Sequence, residues 1–390
     1  MICLFGGILG GWIMSLLTPL FLAMKLRYPS FFKRLLVLSG FGLVVLCMVG
    51  WGLMYALTFH PKAIEEEVVY NKPNAPVLKA GQELSVMSWN VQYMAGKNYT
   101  FFYDVANGDG PDERPSVEDL AVTFKEVARI IKEVNPDVVL LQEVDSGAKR
   151  TDYEDQLSVL MELLPEEYRS YCSTYYWKNK FNPHPRIMGA TGLKLAIISK
   201  YKMSEATRHQ LSSVEWTSLF KDFSLKRAIL KARFPVEKGR DFFAINTHLS
   251  AFSQGTDTMK RQVLEVVSLL DALEQNRYPW AIGGDFNLLP PGQYEGLSEA
   301  AKYLYQPDTE LLFLTNKYPC IPQIEDCQGR EVSKWFTHFS NDPVFSGPDR
   351  TLDYIFYSKY LGQPLEYEVR NGDTLKISDH FPVISRFRIP

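Results

Sequence analysis

Six short motifs between residues 85 and 390 each place a polar residue that binds metal ions or transfers protons at the end of an apolar run. In chain order they are Ser88-Trp89-Asn90-Val91, Leu141-Gln142-Glu143-Val144, Asn246-Thr247-His248-Leu249, Gly284-Asp285-Phe286-Asn287, Leu352-Asp353-Tyr354-Ile355 and Ser378-Asp379-His380. An apolar run that ends in a polar residue is typical of a buried strand reaching the rim of a sheet. Carboxylates, amides and histidines gathered at one rim can bind a divalent metal ion and transfer protons, which is a catalytic arrangement.

Three of these residues are candidate metal ligands. Glu143 follows an apolar strand and offers a hard carboxylate oxygen, and Asn90 offers a neutral carbonyl oxygen. Asp379 is placed to assist the metal or to shape its loop. Mg²⁺ keeps several waters and takes few protein carboxylates, so a sparse ligand set is chemically sensible, and Mn²⁺ accepts the same ligands. Taken singly, Glu143 also fits an exposed acid at a strand end, and Asn90 a turn residue.

His380 is the candidate general base, because an unperturbed imidazole titrates near neutral pH. Asp353 would hold the other ring nitrogen of His380 and fix its tautomer. The competing interpretation is that residues 378–380 form only a polar turn, but it does not explain the Leu352-Asp353-Tyr354 motif upstream.

As an ordered set, the motifs resemble the endonuclease/exonuclease/phosphatase superfamily of magnesium-dependent phosphoesterases. That superfamily includes apurinic endonucleases, inositol-phosphate 5-phosphatases and neutral sphingomyelinases. The resemblance implies an α/β fold over residues 84–390, a two-sheet β-sandwich flanked by helices in four layers. The sequence by itself indicates only an α/β protein with many strands.

The resemblance also implies roles for three further residues. Asp285 and Asn287 alternate about Phe286, so both point the same way on an extended segment. In the family pattern this pair positions the attacking water and the phosphate, and Asp285 is the second candidate for the base. His248 would donate a hydrogen bond to a phosphate oxygen, although a lone histidine is more often structural.

Helices and strands alternate around the motifs. Ser116 is a good helix cap, apolar residues then follow at helical spacing, and Asn135-Pro136 ends the helix. The apolar strand Asp137–Gln142 follows and leads to Glu143. A second helix, Thr258–Leu273, is followed by a strand at Trp280–Gly283. This order predicts helices that cover the outer faces of sheets.

Residues 1–59 contain two uncharged apolar stretches, Ile2–Met24 and Leu35–Leu57, each long enough to cross a hydrocarbon core of about 30 Å. We predict two membrane helices, followed by a linker over residues 60–83. A signal peptide and a half-inserted hairpin are the alternatives. Four basic residues separate the stretches, and acids follow the second, so the positive-inside rule places the catalytic domain on the non-cytoplasmic side of the membrane. These basic residues are Lys25, Arg27, Lys33 and Arg34.

Charge and composition bear on the substrate. The chain has a formal net charge of −3, and its basic N-terminal segment makes the remainder more acidic still. An acidic domain is a poor partner for a polyanion, which disfavours nucleic acid without excluding it. The aromatic residues of 175–181, interleaved with Lys178 and Lys180, suit a membrane interface or a core strand. We therefore expect a membrane-associated phosphodiesterase that cleaves a lipid head group, in the manner of the neutral sphingomyelinases.

Other functions remain open from the sequence. A nuclease acting on DNA or RNA and an inositol-phosphate phosphatase share the same chemistry at phosphorus, and a catalytically silent binding module is a further alternative. Lys194 is either a phosphate contact or a solvated strand residue. Cys320 and Cys327 would form a disulfide in an oxidising compartment and remain thiols in a reducing one.

Overall fold

The computed structural model describes residues 29–105, 107–213, 221–251 and 256–390. It separates into two compact units, Met1–Leu57 and Thr58–Pro390.

The described part of the first unit is a single long helix, α1 (Pro29–Leu57). Its segment Lys33–Leu57 has 25 residues, the most apolar 18-residue stretch within it has a mean hydropathy of 2.2, and none of that stretch is buried. Within the described residues, α1 is the one helix long and apolar enough to cross a membrane, and a signal sequence would meet the same criteria. It corresponds to the second predicted membrane helix. The first, Ile2–Met24, lies outside the described residues.

The second unit is built on two mixed seven-stranded sheets. Strands are numbered in chain order, and this differs from the order in which they lie side by side within a sheet. In spatial order, the first sheet consists of β1 (Ile64–Glu67), β8 (Glu205–Gln210), β9 (Ala228–Phe234), β11 (Phe242–His248), β12 (Trp280–Asp285), β14 (Asp353–Tyr357) and β13 (Cys320–Ile321). The second consists of β15 (Glu366–Val369), β16 (Val383–Arg388), β4 (Glu83–Asn90), β5 (Val138–Asp145), β7 (Gly189–Ser199), β6 (Ser170–Asn182) and β2 (Val69–Asn71). A separate short pair joins β3 (Leu78–Lys79) to β10 (Val236–Glu237).

The two sheets pack face to face around a buried apolar core. Val86 and Leu140 of the second sheet meet Leu230, Ala244 and Ile355 of the first. Strands buried on both faces read as continuous apolar runs, which is why β4 and β5 lack the polar alternation of a half-exposed strand.

Helices cover the outer faces, as predicted. The helices are α2 (Val117–Val134), α3 (Gln156–Leu163), α4 (Thr258–Gln275) and two single turns, α5 (Glu299–Lys302) and α6 (Leu312–Thr315). The apolar stripe of α2 packs on β4 and β5, and that of α4 packs on β11, β12 and β14. Ser116 caps α2 by accepting the backbone N–H of Asp119 at 3.1 Å. The α/β sandwich flanked by helices is therefore confirmed.

The segment 60–83 differs from the predicted linker, because it contributes β1, β2 and β3 to the folded unit. β1 pairs with β8 and β2 pairs with β6, each at the edge of its sheet. Edge strands tolerate charged residues, so the run Glu65–Glu67 resembles a linker in composition while forming a strand.

The cysteines of the described residues are free thiols. The Sγ of Cys320 lies 3.3 Å from the carbonyl oxygen of Pro322, and that of Cys327 lies 4.0 Å from the hydroxyl of Thr351. The pair considered as a disulfide is thus not joined.

Candidate active site

Two glycines bring the ends of the sheets together. A Cβ on Gly283 would lie 2.7 Å from the Cβ of Ser88 and 2.8 Å from the Cδ1 of Leu140, both in the opposite sheet. A Cβ on Gly284 would lie 2.1 Å from the carbonyl oxygen of Thr247 in the neighbouring strand. Only glycine fits at this spacing, so β12 can run close to β4 and β5 just before its polar end.

Asn90, Glu143, His248 and Asp285 lie at or near the carboxyl ends of two parallel strand pairs, β4 with β5 and β11 with β12. Asp353 instead begins β14, which runs antiparallel to β12, and Asp379 and His380 precede β16. Asn90, His248 and Asp285 are the last residues of their strands. Glu143 lies near the end of β5, where the pairing with β7 shifts register between Leu141 and Val144. Its φ of +57° is unusual for a residue with a side chain and marks a strained bulge, a feature common beside active sites.

Asp285 is the centre of the arrangement. Its Oδ2 lies 3.1 Å from Nδ2 of Asn90, 3.3 Å from Nε2 of His248 and 3.5 Å from Nε2 of His380. Its Oδ1 accepts the backbone N–H of Asn287 at 2.9 Å. Burial raises the pKa of Asp285 to about 6. The structure thus places one carboxylate oxygen between both histidines and a candidate metal ligand.

His380 is held from both its ring and its backbone. Nδ1 lies 2.7 Å from Oδ2 of Asp353, which is the pairing expected from the sequence. The carbonyl oxygen of His380 accepts the indole N–H of Trp89 at 2.9 Å, and its N–H donates to the hydroxyl of Ser378 at 3.2 Å. Ser378 in turn donates to the carbonyl oxygen of Asn90 at 2.8 Å, so the histidine loop is fastened to the end of β4.

The electrostatics of His380 favour its charged form. Burial lowers its pKa, but the negative charges of Asp353, Asp285 and Asp379 together raise the pKa well above the ordinary value. The imidazole is therefore a strong base that becomes available only when the pH exceeds this raised pKa.

His248 is buried and neutral, since burial, and then the charges of Arg227 and His380, lower its pKa well below the ordinary value. Nδ1 lies 3.2 Å from the hydroxyl of Tyr176, and Nε2 faces Asp285. When Nε2–H donates to Asp285, Nδ1 accepts from Tyr176. A hydrogen bond from His248 to a phosphate oxygen would replace the one to Asp285.

The predicted metal ligands lie in an acidic environment that suits a hard cation. Burial, followed by the charge of Asp379, raises the pKa of Glu143 to about 7. Asp104, which the motifs did not include, also has its pKa raised, by burial and then by Asp379. Glu143, Asp104 and Asp379 offer carboxylate oxygens, which are the donors that Mg²⁺ prefers.

Asn90 is oriented differently from what a metal ligand requires. Its Nδ2 donates to Oε1 of Glu143 at 3.2 Å, and its Oδ1 accepts the backbone N–H of Gln92 at 3.0 Å. A half-turn of the amide would present the oxygen to a cation. Asn287, with a φ of +53°, donates from Nδ2 to the carbonyl oxygen of Leu249 at 3.1 Å.

A cavity of about 850 Å³ opens over these residues. Glu143, His248, Asp285, Asp379 and His380 line it together with many apolar and aromatic side chains. Examples of the latter are Phe102, Tyr103, Trp177, Leu193, Phe223, Leu225 and Tyr305. The cavity thus combines a polar, acidic catalytic region with walls that favour an organic group.

Several lining residues were missed by the sequence analysis, namely Arg150, Arg227, His338 and Arg350. The His338 ring lies 4.7 Å from that of His380, centre to centre. None of the four belongs to a recognisable motif. The signal for Arg227 was its position immediately before the apolar strand β9.

The residues whose roles the sequence left open include some that line this cavity and some that do not. On β6, Tyr176 is buried against His248 and Trp177 lines the cavity, whereas Lys178 and Lys180 are exposed. The aromatic run is therefore partly core and partly cavity wall. Lys194 is not among the cavity-lining residues and lies 3.7 Å from Asp155.

The chain is similar in sequence or in fold to several known proteins. The chain is 28% identical over 217 residues to a 5′-tyrosyl-DNA phosphodiesterase of Caenorhabditis briggsae, covering 52% of this chain and 47% of that protein. The fold is similar to that of an endonuclease/exonuclease/phosphatase from Beutenbergia cavernae, with a TM-score of 0.52 and 22% identity over 79% of this chain and 72% of the other. The human nocturnin catalytic domain gives a TM-score of 0.48 and 18% identity, covering 83% and 98% of the two chains.

The sequence pattern of the endonuclease/exonuclease/phosphatase family matches residues 87–380, which contain all six motifs. The chain therefore belongs to the endonuclease/exonuclease/phosphatase family of phosphoric ester hydrolases.

Proposed function

We propose that this protein is a metal-dependent phosphodiesterase that uses Mg²⁺, with Mn²⁺ as the alternative ion. The observation that carries the proposal is the position of one Asp285 oxygen within 3.5 Å of His380, beneath a cavity that also exposes Glu143 and Asp379. Hydrolysis of a phosphodiester needs charge neutralisation and a base for the attacking water, and this arrangement offers groups for both.

Glu143 and Asp379, with Asn90 after rotation of its amide, would hold the metal ion. When bound, the ion supplies positive charge against the phosphate oxygens and the leaving oxygen. Asp285 and Asn287 orient water and phosphate. His380 takes the proton from the water at Nε2, while Asp353 keeps its Nδ1 protonated and its ring in place. His248 donates from Nε2 to a phosphate oxygen.

We propose a nucleic-acid phosphodiester as the substrate, entering as a short single-stranded end. The similarity to a 5′-tyrosyl-DNA phosphodiesterase supports this class. Aromatic walls such as Phe102, Tyr103 and Trp177 can stack on bases. Since the chain is acidic overall, an end inserted in the cavity suits it better than a duplex lying across the surface.

A lipid head group is the second candidate. The observation that favours it is α1, which has the length and hydropathy of a membrane span. On this proposal α1 anchors the chain, the catalytic unit lies on the non-cytoplasmic side, and the apolar walls of the cavity accept part of a lipid.

A substrate panel under Mg²⁺ tests the proposal. The full chain would be assayed on single-stranded DNA with and without a 5′-tyrosyl group, abasic duplex DNA, sphingomyelin, phosphatidylcholine and phosphoinositides, with Glu143→Gln as the inactive control. We expect the largest kcat/KM on a single-stranded end. Preference for a lipid would select the second candidate, and no hydrolysis of any member would refute both.

A further inference from the structure

Three arginines line the cavity, and two of them are neutralised by a neighbouring aspartate. Nε and Nη2 of Arg150 lie 2.8 and 2.9 Å from the two oxygens of Asp145. Nε and Nη2 of Arg350 lie 2.6 and 2.9 Å from those of Asp349. Arg227 differs, because it forms no ion pair with any residue that the structure describes.

The guanidinium of Arg227 is also short of hydrogen bonds. The residue is 7% exposed, and its Nε and Nη1 are buried without a hydrogen-bond partner among the described residues. Its guanidinium carbon lies 5.2 Å from the centre of the Tyr176 ring. Burying an unpaired charge is unfavourable, so a folded protein retains one where a ligand supplies the missing partner.

The position of Arg227 relates it to the catalytic residues. It immediately precedes β9, which pairs with β11 so that Ile229 lies opposite Thr247. The start of β9 is therefore beside the end of β11, which carries His248. Tyr176 bridges the two, since its ring faces Arg227 and its hydroxyl lies 3.2 Å from Nδ1 of His248.

The surroundings of Arg227 are suited to holding an anion. Phe223 and Leu225, close before it in the chain, line the same cavity with apolar side chains. A charge pair formed away from water is stronger than one formed at the surface. The planar guanidinium can also donate two parallel hydrogen bonds to a phosphate.

We propose that Arg227 binds a non-bridging oxygen of the substrate's phosphate group, and that this phosphate provides the counter-charge that no described residue supplies to Arg227. The inference rests on the proposed function. It adds a phosphate-binding residue to the proposed site, on the His248 side of the cavity. Arg150 and Arg350, already paired, shape the cavity walls.

Inorganic phosphate tests this site apart from catalysis. The full chain in detergent and EDTA would be melted with increasing phosphate, for the wild type, Arg227→Gln, Arg227→Lys and the control Arg233→Gln. Arg233 lies on β9, the strand that Arg227 precedes, but it pairs with Asp241 at the surface. Phosphate should raise the Tm of the wild type and the control, raise that of Arg227→Lys less, and leave that of Arg227→Gln unchanged.

Without phosphate, Arg227→Gln should melt at or above the wild-type temperature, because it removes a buried charge that has no partner among the described residues. Its kcat/KM on the substrate chosen by the panel should fall about 10- to 100-fold, the effect of losing a hydrogen bond to a charged group.

If phosphate raises the Tm of Arg227→Gln as much as that of the wild type, the proposal is wrong. A lower Tm of Arg227→Gln without phosphate would also overturn it. The same holds if Arg227→Gln does not fold while phosphate raises the Tm of Arg227→Lys as much as that of the wild type. Each result would indicate that the arginine has a structural role. A wild-type protein that binds phosphate through Arg227 but hydrolyses nothing would contradict the proposed function and not this site.

Discussion

Replacement of Asp353 by asparagine should slow catalysis without unfolding the protein. Asp353 Oδ2 lies 2.7 Å from Nδ1 of His380, and the carboxylate is 1% exposed. Asparagine keeps the shape of the side chain but presents an N–H to Nδ1. The imidazole then carries its proton on Nε2, the nitrogen that must accept the proton of water.

The expected loss follows from the role assigned to His380. General acid–base catalysis contributes about 10²- to 10⁴-fold to a rate, so kcat should fall by that range, or ~3–5 kcal/mol in the activation free energy. The protein should still fold, because asparagine keeps the size and shape of this buried side chain and its position beside Nδ1 of His380.

The pH–rate profile should change in a defined direction. A base must be deprotonated, so the raised pKa of His380 moves the acidic limb of kcat to higher pH than an ordinary histidine would give. Asp353→Asn removes a major cause of that raised pKa, and its acidic limb should move to lower pH.

Steady-state kinetics from acid to alkaline pH would measure both effects. Asp271→Asn is a suitable control, because Asp271 pairs with Lys317 at the surface of α4. The double variant of Asp353 and His380 should be barely slower than His380→Ala, since the pair acts as one unit. A wild-type kcat and an unmoved limb in Asp353→Asn would refute this role of the pair and favour Asp285 as the base.

Further predictions concern the metal, the fold and the anchor. Glu143→Gln should weaken Mg²⁺ binding in isothermal titration and abolish turnover, and unchanged affinity with full activity would exclude Glu143 as a ligand. Gly283→Ala should lower the free energy of unfolding by about 1–3 kcal/mol in urea, the usual cost of overpacking, and a neutral effect would contradict the close packing of the sheets. Removal of residues 1–57 should leave a folded, soluble unit that hydrolyses a small phosphodiester, and loss of folding would show that α1 is part of the core. A reporter after Pro390 should be active as alkaline phosphatase and dark as green fluorescent protein, and the reverse would place the catalytic unit inside the cell.

The arrangement of Asn90, Glu143, His248 and Asp285 was accessible from the sequence, because each follows an apolar strand. Asp353 and His380 instead precede the strands β14 and β16, which the expectation of polar strand ends did not anticipate. Strand ends at one rim of the sheets bring Asn90, His248 and Asp285 together, and this does not depend on the conformation of the loops. The pairing of Asp353 with His380 was predicted from the chemistry of a histidine base, whose tautomer a carboxylate can fix. The amide orientation of Asn90 and the raised pKa of His380 were not, since both depend on neighbours distant in the chain.

Other features required the structure. Arg227 is one arginine before a strand, and its lack of a partner among the described residues is visible only once Tyr176 and the cavity are in place. The strands of 60–83 lie at sheet edges, where polar composition hides them. The walls of the cavity come from separate loops and strands, so the substrate class that they favour has no local signature.

The most direct test of the account is the Mg²⁺ dependence of phosphodiester hydrolysis in the wild type and in His380→Ala. We predict that the full chain hydrolyses bis(p-nitrophenyl) phosphate with Mg²⁺ and not in EDTA. His380→Ala should keep its KM and bind Mg²⁺ while its kcat falls about 10²- to 10⁴-fold. Hydrolysis that persists in EDTA, or a wild-type kcat in His380→Ala, would contradict the proposed active site.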